Sequence, residues 1–186
     1  EEEITYTNNS PDMLEYLWLQ LDQNIRKKDS PVLQKNSESG TAHNIIYDLI
    51  DESQVDRFSS RHLENPFDGG FNIQWVKDEL NQFLKYTINM TMMRIDLPKP
   101  LNSGEQFKFS IKWWYNINDH VKKRARSGYE PFPKDGNRLY VIAQFFPRLA
   151  VYNDVEGWQN YQFWGNGEFA LNFGNYDVKI TVHEDK

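Results

Sequence analysis

Apolar and polar residues alternate most regularly between positions 105 and 117. Every second residue there is bulky and apolar, in the order Phe107, Phe109, Ile111, Trp113, Tyr115 and Ile117. A period of two places these side chains on one face of a β-strand, whereas a helix would spread them around its axis. The pattern therefore predicts a strand with one buried face.

A second alternating run, at 93–97, precedes this strand and stops at Pro98 and Pro100. Proline cannot donate a hydrogen bond to a neighbouring strand, so it favours strand ends and sheet edges. The sequence Asn-Ser-Gly at 102–104 is typical of a tight turn. We therefore predict that 93–97 and 105–117 form an antiparallel pair.

Similar runs occur towards both ends of the chain. In 14–21, three leucines share one face and two rings, Tyr16 and Trp18, share the other, so we expect this strand to be covered on both sides. A turn at 7–12 precedes it. The other strands are predicted at 4–6, 71–76, 80–88, 139–142 and 176–182.

Helix is the weaker signal. Residues 41–63 carry a rough helical stripe, whereas 24–40 and 118–137 are polar, contain proline and glycine, and are predicted to be loops. Many short strands with turns between them favour a single all-β domain over 1–186, either an antiparallel β-sandwich or a saddle-like curved sheet, with one short helical segment.

Composition narrows the function classes. The 186 residues contain no cysteine, which excludes disulfides, thiol catalysis and cysteine-bound zinc. The net charge of −6 gives no reason to expect a nucleic-acid partner. No apolar run approaches the ~20 residues of a membrane span. The chain opens on Glu1 without a methionine or a signal peptide, so we expect a processed or trimmed product.

The histidines are His43, His62, His120 and His183, and none has a second histidine four residues away. A helix-borne pair of zinc ligands is therefore absent. No nucleophile elbow or phosphate loop is present either. The basic run at 122–126 could hold an anion, although a solvated loop explains it better.

Aromatic residues leave two interpretations open. Trp113 and Tyr115 fall on the predicted core face, so packing accounts for them. Trp114 points the other way and is covered by another layer or exposed in an interface. Together with rings at 158–164, it could form a sugar-stacking platform. Residues 8–10 and 89–91 fit the glycosylation pattern, which occurs often by chance.

The stretch 139–158 is dense in aromatic and polar groups. Residues 139–142 lead into it as a strand, and we expect Pro147 to stop the hydrogen-bond ladder. A strand that ends in a rigid loop is a common way to present binding groups.

Several segments, in chain order, resemble the N-terminal domain of the aminopeptidase N family of zinc metallopeptidases. ITYTNNSPD at 4–12 and LWLQL at 17–21 are similar to its early strand, Asn-Ser turn and next strand. LPKPLNSGE at 97–105 is similar to its Gly-Glu hairpin, and YDVKITV at 176–182 to its strand beyond the cleft loop. PRLAVYNDVEGW at 147–158 resembles a bacterial branch, which favours a periplasmic or secreted location.

The resemblance implies a saddle-like β domain, part of a larger polypeptide, that packs on a thermolysin-like catalytic domain. There, zinc bound by His-Glu-x-x-His and a downstream Glu would activate the water that attacks the first peptide bond. This chain lacks those ligands and should not hydrolyse peptides alone. Its implied partners are that catalytic domain and the peptide substrate.

The resemblance also implies roles for three residues. Gln144 matches the glutamine that lines the pocket for the substrate's first side chain. Phe146 stands where the family usually has a glutamate that grips the free α-amine, and its ring could offer only a weaker cation–π contact. Glu156 is the candidate replacement for that carboxylate.

Two other functions remain open from the sequence. One is a free-standing β-sandwich module that binds carbohydrate or protein through exposed rings such as Trp114 or Trp164. The other is a hydrolase with an unrecognised site that uses His62 and His120.

Overall fold

The computed structural model describes residues 1–30, 67–120, 127–164 and 170–182. These residues form antiparallel β-sheets with one 3₁₀ helix, which confirms the all-β prediction. The strands are β1 (Glu2–Thr7), β2 (Leu14–Gln20), β3 (Asn72–Asp78), β4 (Tyr86–Asn89), β5 (Met92–Leu101), β6 (Gln106–Trp114), β7 (Gly128–Phe132), β8 (Asn137–Val141), β9 (Arg148–Leu149), β10 (Tyr152–Asn153) and β11 (Gly157–Trp158).

The 3₁₀ helix spans Asp22–Arg26, so it begins directly after the strand predicted at 14–21 and extends into the loop predicted at 24–40. The predicted helix at 41–63 and the basic run at 122–126 lie outside the described residues. No helix of the described part is long and apolar enough to cross a membrane.

Three strands form the first sheet, in the order β1-β6-β3. Ile4 pairs with Phe109 across β1 and β6, and Val76 pairs with Ile111 across β3 and β6. Phe109 and Ile111 are fully buried, whereas Trp114 is 48% exposed on the other face. The alternation predicted for β6 is therefore confirmed, and it orients this sheet towards the core.

Four strands form the second sheet, in the order β4-β5-β2-β9. Leu17 pairs with Ile95 and Leu19 with Met93, and all four side chains are buried. The other face of β2 is only partly covered. There the guanidinium of Arg94 lies 4.0 Å from the centre of the Tyr16 ring.

The two sheets share one hydrophobic core. Burial of each large apolar side chain contributes roughly 1.5–3 kcal/mol relative to exposure. Phe71 belongs to this core and makes edge-on ring contacts to Trp113 at 5.3 Å and Tyr115 at 5.4 Å. The buried core residues are Leu17, Leu19, Leu21, Phe71, Val76, Leu84, Met93, Ile95, Phe109 and Ile111.

The predicted antiparallel pair of 93–97 and 105–117 is wrong. β5 lies in the second sheet and β6 in the first, so the turn at 102–104 carries the chain from one sheet to the other. β5 also continues past its two prolines to Leu101. Its register against β2 shifts there: Tyr16 pairs with Asp96, but Leu14 pairs with Leu101. Pro98 and Pro100 fall in this irregular stretch, where their missing N–H groups cost no ladder hydrogen bond.

Asn8 joins two connections that cross between the sheets. Its N–H donates to Glu105 O at 3.0 Å, and its carbonyl accepts from Gly104 N at 2.7 Å. Its side-chain nitrogen donates to Asp12 O at 2.7 Å and Leu101 O at 3.0 Å. The β1–β2 turn and the β5–β6 turn are thereby held together by one buried side chain.

The loop predicted at 118–137 is partly wrong, because β7 and β8 form a hairpin there. Its turn contains Asp135 and Gly136, where Gly136 adopts φ +70° and donates to Phe132 O at 2.9 Å. The strand predicted at 80–88 is shorter than expected. Its regular part is β4, and an isolated bridge between Phe83 and Lys77 precedes it.

The strand predicted at 176–182 is not formed. These residues have no regular structure, and their apolar side chains are exposed, with Ile180 at 81%. Alternation alone does not make a strand, because a strand also needs a neighbour to pair with. None of the strands in the described part of the chain pairs with this segment.

Candidate substrate-recognition segment

Gln144 lies on residues 142–147, which connect β8 to β9. Its backbone φ is +52°, in the left-handed region that few residues other than glycine adopt. β8 ends at Val141, well before Pro147, and Pro147 directly precedes β9. The expectation that Pro147 stops the predicted strand is therefore wrong, since the chain has already left the ladder.

A buried glutamine holds this segment. Gln23, in the 3₁₀ helix, donates its side-chain Nε2 to Ala143 O at 2.8 Å and to Gln144 O at 3.1 Å. Its Oε1 accepts from Arg26 Nη1 at 2.6 Å. Gln23 is 1% exposed, so both hydrogen-bonding ends of its amide are used inside the protein. Two consecutive carbonyl groups of the 142–147 segment are thus fixed by one side chain.

The other end of the segment is held by an ion pair. Arg148, at the start of β9, pairs with the carboxylate of Asp22, which is buried. Burial raises the pKa of Asp22, and the positive charge of Arg148 opposes that rise. Burial lowers the pKa of Arg26, and electrostatic interactions with Tyr115 and Asp22 oppose this decrease. The charges of Arg148 and Arg26 thus partly offset the cost of burying this carboxylate.

The 3₁₀ helix is itself fixed to the second sheet. Asn24 donates its side-chain nitrogen to Met90 O at 2.8 Å, and its Oδ1 accepts from Phe71 N at 2.8 Å. Leu21 N donates to Thr91 O at 2.7 Å. Three consecutive polar residues, Asp22, Gln23 and Asn24, are therefore buried because each has partners elsewhere in the fold.

Phe146 lies among other rings. Its centroid is 4.9 Å from that of Phe145 and 6.1 Å from that of Tyr176, both in edge-on geometry. The contact with Tyr176 brings the exposed segment at 176–182 next to the 142–147 segment. Gln144 and Phe146 both lie in the 142–147 segment, two residues apart.

Glu156 belongs to a different unit, the turn between β10 and β11. Its N–H donates to Asn153 Oδ1 at 2.8 Å, and its exposed carboxylate accepts a hydrogen bond of 3.4 Å from the Tyr161 hydroxyl. Among the described residues, no hydrogen bond, ion pair or ring contact joins Glu156 to Gln144 or Phe146. The geometry therefore unites two of the three candidate residues.

The β10–β11 turn is anchored to the first connection of the chain. The Tyr152 hydroxyl donates to Asp12 Oδ2 at 2.6 Å, and this bond is the main reason that the pKa of Tyr152 rises to about 12. The ring of Trp158 packs between Tyr6 at 6.1 Å and Tyr152 at 5.2 Å. Trp158 therefore contributes to packing rather than to an exposed platform.

A zinc site does not fit the described residues. Within 1–30, 67–120, 127–164 and 170–182, no group of three or more His, Asp or Glu side chains is arranged to hold a metal ion. His120 is exposed, and its backbone N–H donates to Tyr129 O at 2.8 Å. His43, His62 and His183 lie outside the described residues.

Sequence reasoning missed Asp22 and Gln23. One signal was available in the sequence, because Asp-Gln-Asn at 22–24 follows directly on the alternating leucines. If the strand continued, covered on both sides, it would bury these three polar side chains. Buried polar groups require partners, so such a triplet marks a place where another segment must supply them.

Comparison with family models, with curated proteins and with solved structures gives no significant match. The fold alone defines the class of protein, which is an all-β domain of antiparallel sheets around one core. In this domain, Gln23 and Asp22 hold the segment 142–147 that connects β8 to β9.

Proposed function

We propose that this chain is the non-catalytic N-terminal domain of a zinc-dependent aminopeptidase and forms one wall of its peptide-substrate cleft. The ordered resemblance of several segments supports this proposal. One structural observation carries it further: Gln144, assigned by that resemblance to the pocket for the first side chain, lies on a backbone held by buried polar groups. Recognition residues need such rigid support.

Each candidate residue has a separate part in this proposal. Gln144 supplies an amide to the pocket wall. Phe146 supplies a ring, whose attraction for the substrate's α-ammonium would be worth about 0.5–1 kcal/mol at an exposed site. Glu156 lies on another turn, so it contributes only to a peptide long enough to reach both turns. The zinc of the parent enzyme belongs to its catalytic domain, and no step of the reaction is assigned to this chain.

Peptide binding tests the proposal directly. The isotope-labelled chain is titrated with Leu-Gly-Gly while backbone amide signals are followed by NMR. We expect the signals of Gln144 and Phe146 to shift, and we expect N-acetyl-Leu-Gly-Gly to bind more weakly because it lacks the charged amine. Gln144→Ala should weaken binding, whereas Gln106→Ala, on β6 and bonded to Thr7 Oγ1, should not. Absence of any shift in the 142–147 segment would contradict the proposal.

Activity measurements give a second test. The isolated chain, supplied with zinc, should release no product from leucine p-nitroanilide. Stoichiometric zinc binding together with turnover would exclude a non-catalytic role. The proposal also expects the gene to encode a His-Glu-x-x-His helix downstream of Lys186.

A free-standing binding module for carbohydrate or protein is the second candidate. Trp114 and Trp164 are 48% and 46% exposed, and exposed tryptophan rings stack well on sugars. A glycan screen with the wild-type chain and the Trp114→Ala variant separates this function from the first. Binding that is lost in Trp114→Ala would favour the module, and silence across the screen would remove it.

A further inference from the structure

We infer that Gln23 is a positioning residue for peptide recognition: it holds the backbone at Ala143 and Gln144 in the conformation from which the Gln144 side chain meets the substrate. This inference rests on the proposed function and identifies what prepares the same site. It is carried by the two hydrogen bonds from Gln23 Nε2, at 2.8 Å and 3.1 Å.

The conformation of Gln144 explains why such support is needed. A non-glycine residue at φ +52° occupies a sparsely populated region, which costs of order 1–3 kcal/mol and persists only where surrounding contacts enforce it. Among the described residues, the Gln23 side chain supplies two such contacts, its hydrogen bonds to the carbonyl groups of Ala143 and Gln144. Without them, the segment is expected to relax towards the extended or right-handed region, and the Gln144 side chain would leave its position.

Gln23 is suited to this task because its own position is fixed. It is 1% exposed, it lies in a 3₁₀ helix held on either side by Asp22 and Asn24, and Arg26 fixes its oxygen at 2.6 Å. The bond to Arg26 also determines which end of the amide faces the carbonyl groups, since a guanidinium only donates. Oε1 therefore faces Arg26, and Nε2 faces the segment.

Two substitutions at Gln23 test the inference. Gln23→Glu keeps the shape and the acceptor for Arg26 but loses the donor to both carbonyl groups. Gln23→Met keeps the length without charge, and it preserves the test if Gln23→Glu does not fold. Gln106→Glu is the matched control, since Gln106 is exposed and its amide bonds to Thr7 in the first sheet.

Three measurements are made on each protein: the melting temperature, the backbone φ of Gln144 by NMR, and the Kd for Leu-Gly-Gly. We expect the folded Gln23 variants to lose the left-handed φ and to bind the peptide about tenfold more weakly, which corresponds to about one hydrogen bond. Gln106→Glu should change neither. A merely structural role would lower the melting temperature and leave the Kd of the folded fraction unchanged.

The outcomes separate this inference from the proposed function. If the wild-type chain does not bind the peptide, the proposed function fails, and the φ of Gln144 in the variants alone decides whether Gln23 positions the segment. If the wild type binds and the Gln23 variants keep both the φ and the Kd, the inference is overturned while the proposed function stands.

Discussion

Arg148, the first residue of β9, forms an ion pair with the buried carboxylate of Asp22, the first residue of the 3₁₀ helix. The two residues are 126 positions apart in the chain. Their contact joins the edge of the second sheet to the helix that carries Gln23, so the 142–147 segment is held at both ends. A buried ion pair stabilises little in net terms, because each charge loses its hydration.

Breaking one half of this pair should nevertheless be costly. Asp22→Asn leaves Arg148 without its countercharge, and we expect the free energy of unfolding to fall by about 3 kcal/mol. Urea denaturation measures the loss. The exposed pair between Glu3 and Lys108 is the control, and Glu3→Gln should cost no more than about 1 kcal/mol.

The double variant Asp22→Leu/Arg148→Met should recover part of that loss, since no charge remains buried. If the single and double variants are equally destabilised, the cost arises from packing and not from the unpaired charge.

Asn8 gives a second stability prediction. Asn8→Ala removes both donors to the carbonyl groups of Asp12 and Leu101, and buried carbonyl groups without partners are costly. We expect the free energy of unfolding to fall by about 2 kcal/mol, as measured by chemical denaturation. Asn9 is exposed, so Asn9→Ala should remain within about 0.5 kcal/mol of wild type. Equal effects of the two substitutions would contradict the bridging role of Asn8.

Alternation predicted which residues are buried, but not which strands pair. Phe109 and Ile111 of β6 and Met93 and Ile95 of β5 are all in the core, as their spacing predicts. The turn at 102–104 suggested a hairpin, yet these side chains meet from opposite sheets. A short turn can join strands within one sheet or between two, and the period of two is the same in both cases.

The candidate site was predictable only in part. The choice of Gln144 is a prediction from resemblance to a family motif, and its backbone adopts a φ of +52° in the structure. Its support by Gln23 was not predictable, because the hydrogen-bonded groups are 120 and 121 positions apart. Local sequence patterns carry no information about such distant partners, whereas the need for some partner follows from the burial of a polar triplet.

The exposed segment at 176–182 predicts self-association. Its alternating apolar residues include Val178 and Ile180, both exposed, and unpaired apolar segments of this kind recruit other chains. Ile180→Lys should raise the concentration at which light scattering detects aggregates. The free energy of unfolding of this variant should stay within about 0.5 kcal/mol of the wild-type value. Thr181→Lys adds the same charge outside the apolar row and should have a smaller effect. If both substitutions act equally, net charge is the cause.

Glu2 makes the stability of the fold depend on pH. It lies on the inward side of β1, opposite the buried Ile111, and its Oε1 has no hydrogen-bond partner among the described residues. Burial raises the pKa of Glu2 from 4.5 to about 8, and the positive charge of the nearby amino terminus opposes this rise. The folded chain therefore keeps a proton that the unfolded chain releases above about pH 4.5. This contribution to stability is complete below that pH and is lost as the pH rises through 8.

Urea denaturation between pH 4.5 and 9 tests whether the free energy of unfolding falls as the pH rises. We expect wild-type stability to fall across this range and Glu2→Gln to fall less, because a neutral amide has no proton to lose. Glu3→Gln is the matched control, since Glu3 lies next to Glu2 but pairs with Lys108 at 2.9 Å on the exposed side. The Glu3 variant should follow the wild-type pH dependence. If Glu2→Gln also follows it, the buried carboxyl of Glu2 does not govern this range, and the inward placement of the side chain is wrong.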